Sequence, residues 1–254
     1  ADSQVLFHKA FDLSEIISND RSKLFDLVRK SSFNKLNKHI KINNQIIGEG
    51  NKAFIIAEAG LNHNGSVNIA KKLIDSALAS GCNAVKFQTF TKNSRVSKKV
   101  KSANYAEKII GLEESVDEIF SRLSLPYEKQ TEIFDYGRKK GIEIFSTPFD
   151  FESVDFLESL NVGIYKVASA DLVNLPLIKY IASKGKPVIL STGMSNLSNI
   201  EDAINEFKKT DNPNLALLHC NSSYPAPLSE MNLAVINNLQ KMFNIPVGLS
   251  DHTL

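Results

Sequence analysis

The sequence has few of the residues that mark several classes of protein. Only two cysteines occur among 254 residues, Cys82 and Cys220, and neither belongs to a CxxC pair. So few cysteines argue against a disulfide-stapled secreted domain and against a zinc site built from cysteine pairs. Both cysteines have apolar neighbours, so we expect free thiols in a reducing, cytoplasmic setting.

Long apolar runs and blocks of like charge are also missing. No run approaches the roughly 18 apolar residues of a membrane-spanning helix, and the first residues lack the apolar core of a signal peptide. The net charge is only +2, with 30 basic and 28 acidic residues mixed along the chain. The short lysine cluster at 98–101 is typical of a solvated loop. We therefore expect neither a membrane nor a nucleic-acid partner.

Two segments precede the main part of the chain. Between residues 13 and 28, apolar residues recur with i, i+3, i+4 spacing, which predicts a helical extension over residues 1–40. The segment HIKINNQIIGEG (39–50) contains two β-rich runs around Asn43 and Asn44 and predicts a hairpin. We assign residues 41–254 to one main domain.

A repeating pattern of strands and helices begins near residue 53. Short β-rich runs alternate with amphipathic segments, one of which places Ile200, Ala203, Ile204 and Phe207 on one helical face. The predicted strands are FIIAEAG (54–60), NAVKFQTF (83–90), IEIFSTPF (142–149), GIYKVASAD (163–171), PVILSTG (187–193), LALLHCN (215–221) and IPVGLSDH (245–252). This alternation predicts an α/β fold with a parallel sheet and right-handed crossovers.

A (β/α)₈ TIM barrel explains seven such units better than a doubly wound sheet. No GxGxxG turn follows the first strand, so the phosphate turn of a dinucleotide-binding fold is missing. A barrel needs an eighth strand, and the seventh predicted strand ends just before Leu254. We therefore expect a barrel that is truncated after strand 7.

Every predicted strand ends in polar residues, where parallel α/β folds collect their functional groups. Lys86 and Lys166 are costly inside a barrel mouth unless an anion balances them. Together with the hydroxyl groups of Ser169, Ser191 and Ser250, they suit a ligand with a phosphate and a carboxylate. The alternative is that each lysine pairs with a carboxylate at a neighbouring strand end.

Two further residues carry acid–base or metal chemistry. His252 follows Asp251 at the end of the last predicted strand, and its imidazole suits a divalent metal, although a lone histidine is more often a hydrogen-bonded core residue. No convincing second ligand is present in the sequence. Glu58 lies near the end of the first strand and is a candidate general acid or base; the alternative is a structural carboxylate paired with a barrel lysine.

Seven motifs occur in an order and spacing that resemble the N-acetylneuraminate (sialic acid) synthase family, which includes legionaminic and pseudaminic acid synthases and spore coat polysaccharide homologues. The resemblance covers about residues 40–254. The motifs are IAEAGLNHNGS (56–66), AVKFQTF (84–90), FSTPFD (145–150), YKVASAD (165–171), PVILSTGM (187–194), LLHCNSSYPAP (217–227) and GLSDHT (248–253).

The resemblance implies a transferase that condenses phosphoenolpyruvate with an N-acetylmannosamine-like acetamido sugar and releases phosphate. It implies that Glu58 is the acid/base and that His252 is one of two ligands for Mn²⁺ or Mg²⁺. The substrate-binding residues that it implies are Lys86, Gln88, Thr147, Lys166, Ser169, Ser191, Ser222, Tyr224 and Ser250. The chain departs from the family at Ser222, where some members carry asparagine. The family also implies a homodimer when full length, with a C-terminal antifreeze-like domain.

Two other functions remain open at this point. One is a Schiff-base aldolase with Lys166 as the nucleophile, which would resist chelators and be trapped by borohydride. The other is a sugar-phosphate-binding module without turnover, which a truncated barrel would favour.

Overall fold

The computed structural model describes residues 36–91 and 116–254. The hairpin predicted around Asn43 is present: β1 (Ile40–Ile42) and β2 (Gln45–Ile47) pair antiparallel, with Ile42 opposite Gln45. The helices predicted between residues 13 and 28, and the lysine cluster at 98–101, lie outside the described residues.

Strands and helices then alternate as the sequence predicts. The seven further strands are β3 (Ile56–Gly60), β4 (Ala84–Thr89), β5 (Glu143–Pro148), β6 (Tyr165–Val167), β7 (Val188–Ser191), β8 (Leu215–Cys220) and β9 (Val247–Ser250). The helices are α1 (Val67–Ala79), α2 (Val116–Leu123), α3 (Tyr127–Lys140), α4 (Phe151–Ser159), α5 (Leu175–Ala182), α6 (Leu197–Lys208) and α7 (Ala234–Phe243). Two short 3₁₀ helices follow β6 and β8, at Ser169–Asp171 and Leu228–Glu230.

The seven strands are parallel and follow one another in sequence order. The order β3-β4-β5 forms one sheet and β6-β7-β8-β9 forms a second, with β5 and β6 adjacent in space. All five ladders within the two sheets are parallel. Among the described residues, β3 pairs only with β4 and β9 only with β8. The parallel α/β prediction is confirmed, and all seven carboxyl ends face the same side.

Alternate residues along the strands enter two different hydrophobic cores. Val85, Ile144, Val167, Leu190 and Leu217 pack with the helices in the larger core. The residues between them point to the other face, where a smaller core forms from Ala84, Phe145, Ile164, Ile189 and Ala216 together with Ile40 and Ile42 of the hairpin. The hairpin therefore closes the amino-terminal end of the strand interior with two buried isoleucines.

The helix signals in the sequence correspond to real helix ends and faces. Ile200, Ala203, Ile204 and Phe207 are all buried along α6, as their spacing predicts. A glycine just past a helix adopts a left-handed backbone where a Cβ would be strained, as Gly141 does after α3 with φ 80°.

Residues just before position 41 pack against the strands and helices. Leu36 belongs to the strand–helix core, Asn37 donates to the carbonyl of Pro213, and Ile40 lies inside β1. Across the ranges 36–91 and 116–254, none of the helices has the length and apolar character needed to cross a bilayer.

The two-residue period of the strands also predicts how four apolar residues pack, and one of the four departs from that prediction. Period-two alternation places Val85, Phe87, Val247 and Leu249 on the helix-facing side, and the first three do pack in that core. Leu249 instead remains 37% exposed, because β9 has a paired neighbour on one side only in the described structure.

The hairpin gives a matched test of interior packing. Ile42 is 1% exposed and Ile46, on the opposite strand, is 52% exposed. We expect Ile42→Ala to lower the free energy of unfolding by about 2–5 kcal/mol, because it opens a cavity beneath the strand interior. Ile46→Ala should change it by no more than about 0.5 kcal/mol. Urea denaturation of both variants measures the difference. Equal effects would contradict the packing of the hairpin into the strand interior.

Candidate functional site

A layer of polar side chains lies directly above the smaller core, toward the carboxyl ends of the strands. Each of these residues follows an interior apolar residue by two positions, so it shares that face. Lys86 follows Ala84, Thr147 follows Phe145, Lys166 follows Ile164 and Ser191 follows Ile189. The strand period therefore brings both lysines into one enclosed space, where Lys86 is 8% and Lys166 is 6% exposed.

Lys86 is held by two neighbouring strands. Its Nζ lies 2.6 Å from Glu58 Oε2 on β3 and donates to Thr147 Oγ1 on β5 at 3.1 Å. The pairing that the sequence left open as an alternative therefore exists for Lys86. An ammonium group has three N–H donors, so one donor of Lys86 remains for a ligand.

Lys166 has no carboxylate at hydrogen-bonding distance among the described residues. Its Nζ contacts Ser191 Oγ at 2.5 Å and donates to the Val167 carbonyl at 2.8 Å. Burial, followed by repulsion from Lys86, lowers the pKa of Lys166 to about 7, although Glu58 partly opposes the shift. Lys166 is therefore a buried amine with a lowered pKa and no carboxylate in contact with it among the described residues.

A β-bulge orients the acid of the site. The β3–β4 register shifts between Glu58 and Gly60, so that Glu58 faces Lys86 and Gly60 faces Phe87. Gly60 has φ 48°, and a Cβ there would lie 3.0 Å from Glu58 Oε1 and 3.5 Å from Gln88 Nε2. Bulges commonly redirect a side chain next to a functional site. Here the bulge brings Glu58 and Gln88 to the same part of the mouth.

The loops after β6, β7 and β8 converge on a second glycine. Gly193 N donates to Ser169 Oγ at 3.1 Å. A Cβ on Gly193 would lie 2.8 Å from Ser222 Oγ and 2.9 Å from Ser169 Oγ. Two of the hydroxyl groups predicted to bind substrate therefore lie close together.

The backbone fixes the tautomer of His252. Its Nδ1 lies 2.8 Å from the Asn221 carbonyl oxygen, which can only accept, so Nδ1 carries the proton. The neutral ring then keeps a lone pair on Nε2, the form that binds a metal. The Tyr224 ring packs edge-on against His252 at 4.9 Å, and Ser250 lies opposite Cys220 at the end of β9.

The donor set fits a metal only in part. Within residues 36–91 and 116–254, no group of three or more His, Cys, Asp or Glu side chains is arranged to hold an ion. His252 therefore fits as one ligand of a site that the described residues do not complete.

Two further histidines of the described structure make hydrogen bonds with the backbone. His63 is buried, and its Nδ1 accepts from Gly65 N, while His219 Nε2 donates to the Met231 carbonyl. Gly60 and Gly193 were not among the predicted site residues. Their signal in the sequence is that each is the last residue of a predicted strand, two positions after a polar residue, Glu58 or Ser191.

Known proteins resemble this chain over most of its length. Residues 73–254 match the model of the NeuB family. N,N'-diacetyllegionaminic acid synthase of Campylobacter jejuni is 45% identical over 80% of this chain and 61% of its own length. Pseudaminic acid synthase of Helicobacter pylori is 35% identical over 79% of this chain and 59% of its own length.

A solved structure agrees with these matches. The N-acetylneuraminic acid synthetase of Leptospira borgpetersenii, crystallised with citrate, superposes with a TM-score of 0.75 at 35% identity. That alignment covers 86% of this chain and 71% of the other. The chain spans about three fifths of the length of the curated relatives that it matches.

The unmatched charge of Lys166 predicts a pH-dependent stability. Lys166→Met is expected to raise the free energy of unfolding by about 1–4 kcal/mol near pH 6.5, because it removes a buried ammonium. The lowered folded-state pKa means that the unfolded chain binds more protons between about pH 7 and the ordinary lysine pKa. The unsubstituted protein therefore gains stability as the pH rises through that window, and the advantage of methionine shrinks.

Urea denaturation at about pH 6.5 and pH 9 measures this difference. The exposed Lys179 provides the control, because Lys179→Met should shift stability little at either pH. An advantage of Lys166→Met that is equal at both pH values would show that Lys166 is not desolvated.

Proposed function

Because this chain belongs to the NeuB family, we propose that it condenses phosphoenolpyruvate with an N-acetylmannosamine-like amino sugar, giving a nonulosonic acid and phosphate. The observation that carries the proposal is the pair of buried ammonium groups, of which Lys166 has no carboxylate partner among the described residues. Phosphoenolpyruvate supplies a phosphate and a carboxylate, and it would balance both cations inside the mouth.

The hydroxyl groups around the two lysines suit the same ligand. Thr147, Ser169, Ser191, Ser222 and Ser250 can donate to phosphate or carboxylate oxygens without adding charge. Each lysine keeps one N–H donor after its protein contacts, so both can reach a ligand oxygen without breaking the contacts that hold them. Such donors are already oriented before the substrate arrives, which lowers the cost of stabilising charge in the transition state.

Gln88, Tyr224 and His252 would serve the sugar side of the mouth. We propose His252 Nε2 as one ligand of Mn²⁺ or Mg²⁺, since the proton on Nδ1 leaves that atom available. A divalent ion bound there would polarise the aldehyde oxygen of the open-chain sugar.

The reaction proceeds by carbon–carbon bond formation followed by hydrolysis. The C3 carbon of phosphoenolpyruvate attacks the sugar aldehyde carbon, the aldehyde oxygen takes the π electron pair and a proton from solvent to become a hydroxyl group, and C2 becomes electron-poor. Water then adds at C2, and phosphate leaves with cleavage of its bond to C2. Glu58 would take the proton of that water, since its carboxylate lies at the mouth, 2.6 Å from Lys86 Nζ. The lysines would hold the charge of the departing phosphate.

Membership of the NeuB family also supports proposals about the complete fold and the assembly. We propose that the seven parallel strands belong to an eight-stranded TIM barrel, with the eighth strand between β9 and β3. We also propose that the full-length enzyme is a cytoplasmic homodimer. Among the described residues, β3 and β9 each pair with one strand only, which supports the position proposed for the eighth strand.

A second candidate function is supported by one observation. A buried lysine whose pKa is lowered to about 7 is partly a neutral amine at neutral pH, as an imine-forming lysine must be. Lys166 could then condense with a 2-keto acid, losing water, as in a Schiff-base aldolase. This chemistry needs no metal and releases no phosphate from phosphoenolpyruvate.

Phosphate release tests the proposed synthase directly. The full-length protein is incubated with phosphoenolpyruvate and a panel of acetamido sugars, and inorganic phosphate is measured. Lys86→Ala and Lys166→Ala should each raise KM for phosphoenolpyruvate by about 10- to 100-fold, because each removes a charge-assisted hydrogen bond. Lys71→Ala removes a surface ion pair with Glu132 and is the control. Unchanged affinity in both buried variants would exclude the anion site.

Metal dependence separates the two candidate functions. His252→Ala should abolish activity and weaken Mn²⁺ binding measured by calorimetry. His39 also contacts a backbone carbonyl, that of Glu49 beside the hairpin, so His39→Ala is a control that should retain both properties. Turnover that persists in His252→Ala and in chelator, but is lost after borohydride reduction with a keto acid, would instead favour the aldolase.

A further inference from the structure

Gly193 occupies a place in the mouth where a Cβ would crowd two serine hydroxyl groups. A Cβ there would approach Ser222 Oγ to 2.8 Å, Ser169 Oγ to 2.9 Å and the Cys220 carbonyl oxygen to 3.2 Å. Real Cβ atoms essentially never approach other heavy atoms to less than 3.0 Å. The φ of Gly193 lies outside the left-handed region, so the backbone itself would accept alanine. The need for glycine is therefore a matter of space.

The same residue orients a hydroxyl group. Gly193 N–H donates to Ser169 Oγ at 3.1 Å, which uses one of the two lone pairs of that oxygen. The proton of Ser169 is then free to point toward another acceptor. A ligand oxygen beside Gly193 would receive this proton together with that of Ser222. The missing Cβ leaves room for both serines, and the N–H orients one of them, Ser169.

The backbone next to Gly193 is held in an unfavourable conformation. Met194 has φ 58°, which is uncommon for a residue with a Cβ, and its side chain is exposed rather than packed. Ser195 Oγ donates to the Gly193 carbonyl at 3.3 Å and braces the turn. Local strain of this kind persists where the surroundings require a defined geometry.

We propose that Gly193 is a positioning residue, which holds the Ser169 and Ser222 hydroxyl groups together as a cradle for the phosphate of phosphoenolpyruvate. The inference rests on the proposed function, because that function supplies the ligand. Gly193 itself touches no reacting atom in this role. It acts by leaving room for the two hydroxyl groups and by directing the proton of Ser169.

The chemistry predicts an unusual result for Gly193→Ala. Serine side chains can rotate about χ1, so both hydroxyl groups can move away from an added methyl at little cost in stability. The same rotation removes them from the ligand. We therefore expect the dissociation constant for phosphoenolpyruvate to rise by about 10- to 100-fold, with little change in Tm.

A mutant cycle on the full-length protein tests this mechanism. Gly193→Ala is made alone and in a Ser169→Ala/Ser222→Ala background, and binding of phosphoenolpyruvate and inorganic phosphate is measured by calorimetry. With both hydroxyl groups already absent, Gly193→Ala should change affinity by less than about 3-fold, because interacting residues are not additive. Gly137→Ala is the control. Gly137 lies in α3, and a Cβ there would crowd Ile144 of β5, away from the mouth, so affinity should stay unchanged.

The outcomes separate this inference from the proposed function. Equal losses of affinity in the two backgrounds, or unchanged affinity in Gly193→Ala, would overturn the role of Gly193 and leave the synthase proposal standing. Binding of inorganic phosphate but not of phosphoenolpyruvate would contradict the proposed substrate, and the cycle measured with phosphate would still decide the cradle. Binding of neither ligand by the unsubstituted protein would contradict both.

Discussion

Two ammonium groups enclosed by parallel strands are the constraint on which the rest of this structure depends. A buried cation is stable only when paired, hydrogen-bonded or neutralised. Lys86 is paired, since Glu58 and Thr147 hold it from both neighbouring strands. Lys166 is hydrogen-bonded to Ser191 and Val167 but has no carboxylate at hydrogen-bonding distance among the described residues. The described site thus holds more positive than negative charge, and an anionic substrate would balance it.

The apolar interior beneath the lysines makes this imbalance possible. The hairpin isoleucines Ile40 and Ile42 close the amino-terminal end, and the strand residues one step below the lysines are apolar. The side of Lys166 that faces this core is therefore apolar, and burial is the largest cause of its lowered pKa. Polar residues in place of Ile40 and Ile42 would hydrate the site and weaken the attraction of the lysines for an anion. Apolar packing at the amino-terminal end of the strands therefore strengthens the attraction of the lysines at the carboxyl end for an anion.

Much of the fold and the site could be predicted from local sequence because both follow the two-residue period of a strand. That period put Lys86 and Gln88 on one face and Val85 and Phe87 on the other, as the two cores confirm. The partner of each lysine could not be predicted, since Glu58 and Ser191 come from different strands whose register depends on tertiary packing. The same limit applies to Leu249, whose exposure depends on neighbours that its own segment does not specify.

The loop after β8 shows why a histidine's chemistry depends on backbone that is remote in sequence. Asn221 offers its carbonyl to His252 Nδ1, and its own amide donates to the Glu230 carbonyl. Ala226 N in turn donates to the His252 carbonyl. The loop is thus tied to β9 at both its start and its middle, and the atom that fixes the His252 tautomer belongs to the main chain. No side-chain substitution at Asn221 removes that carbonyl, so the tautomer is determined by the path of the loop rather than by the identity of one residue. A motif that records only side chains would miss this contact, although it decides which nitrogen can bind a metal.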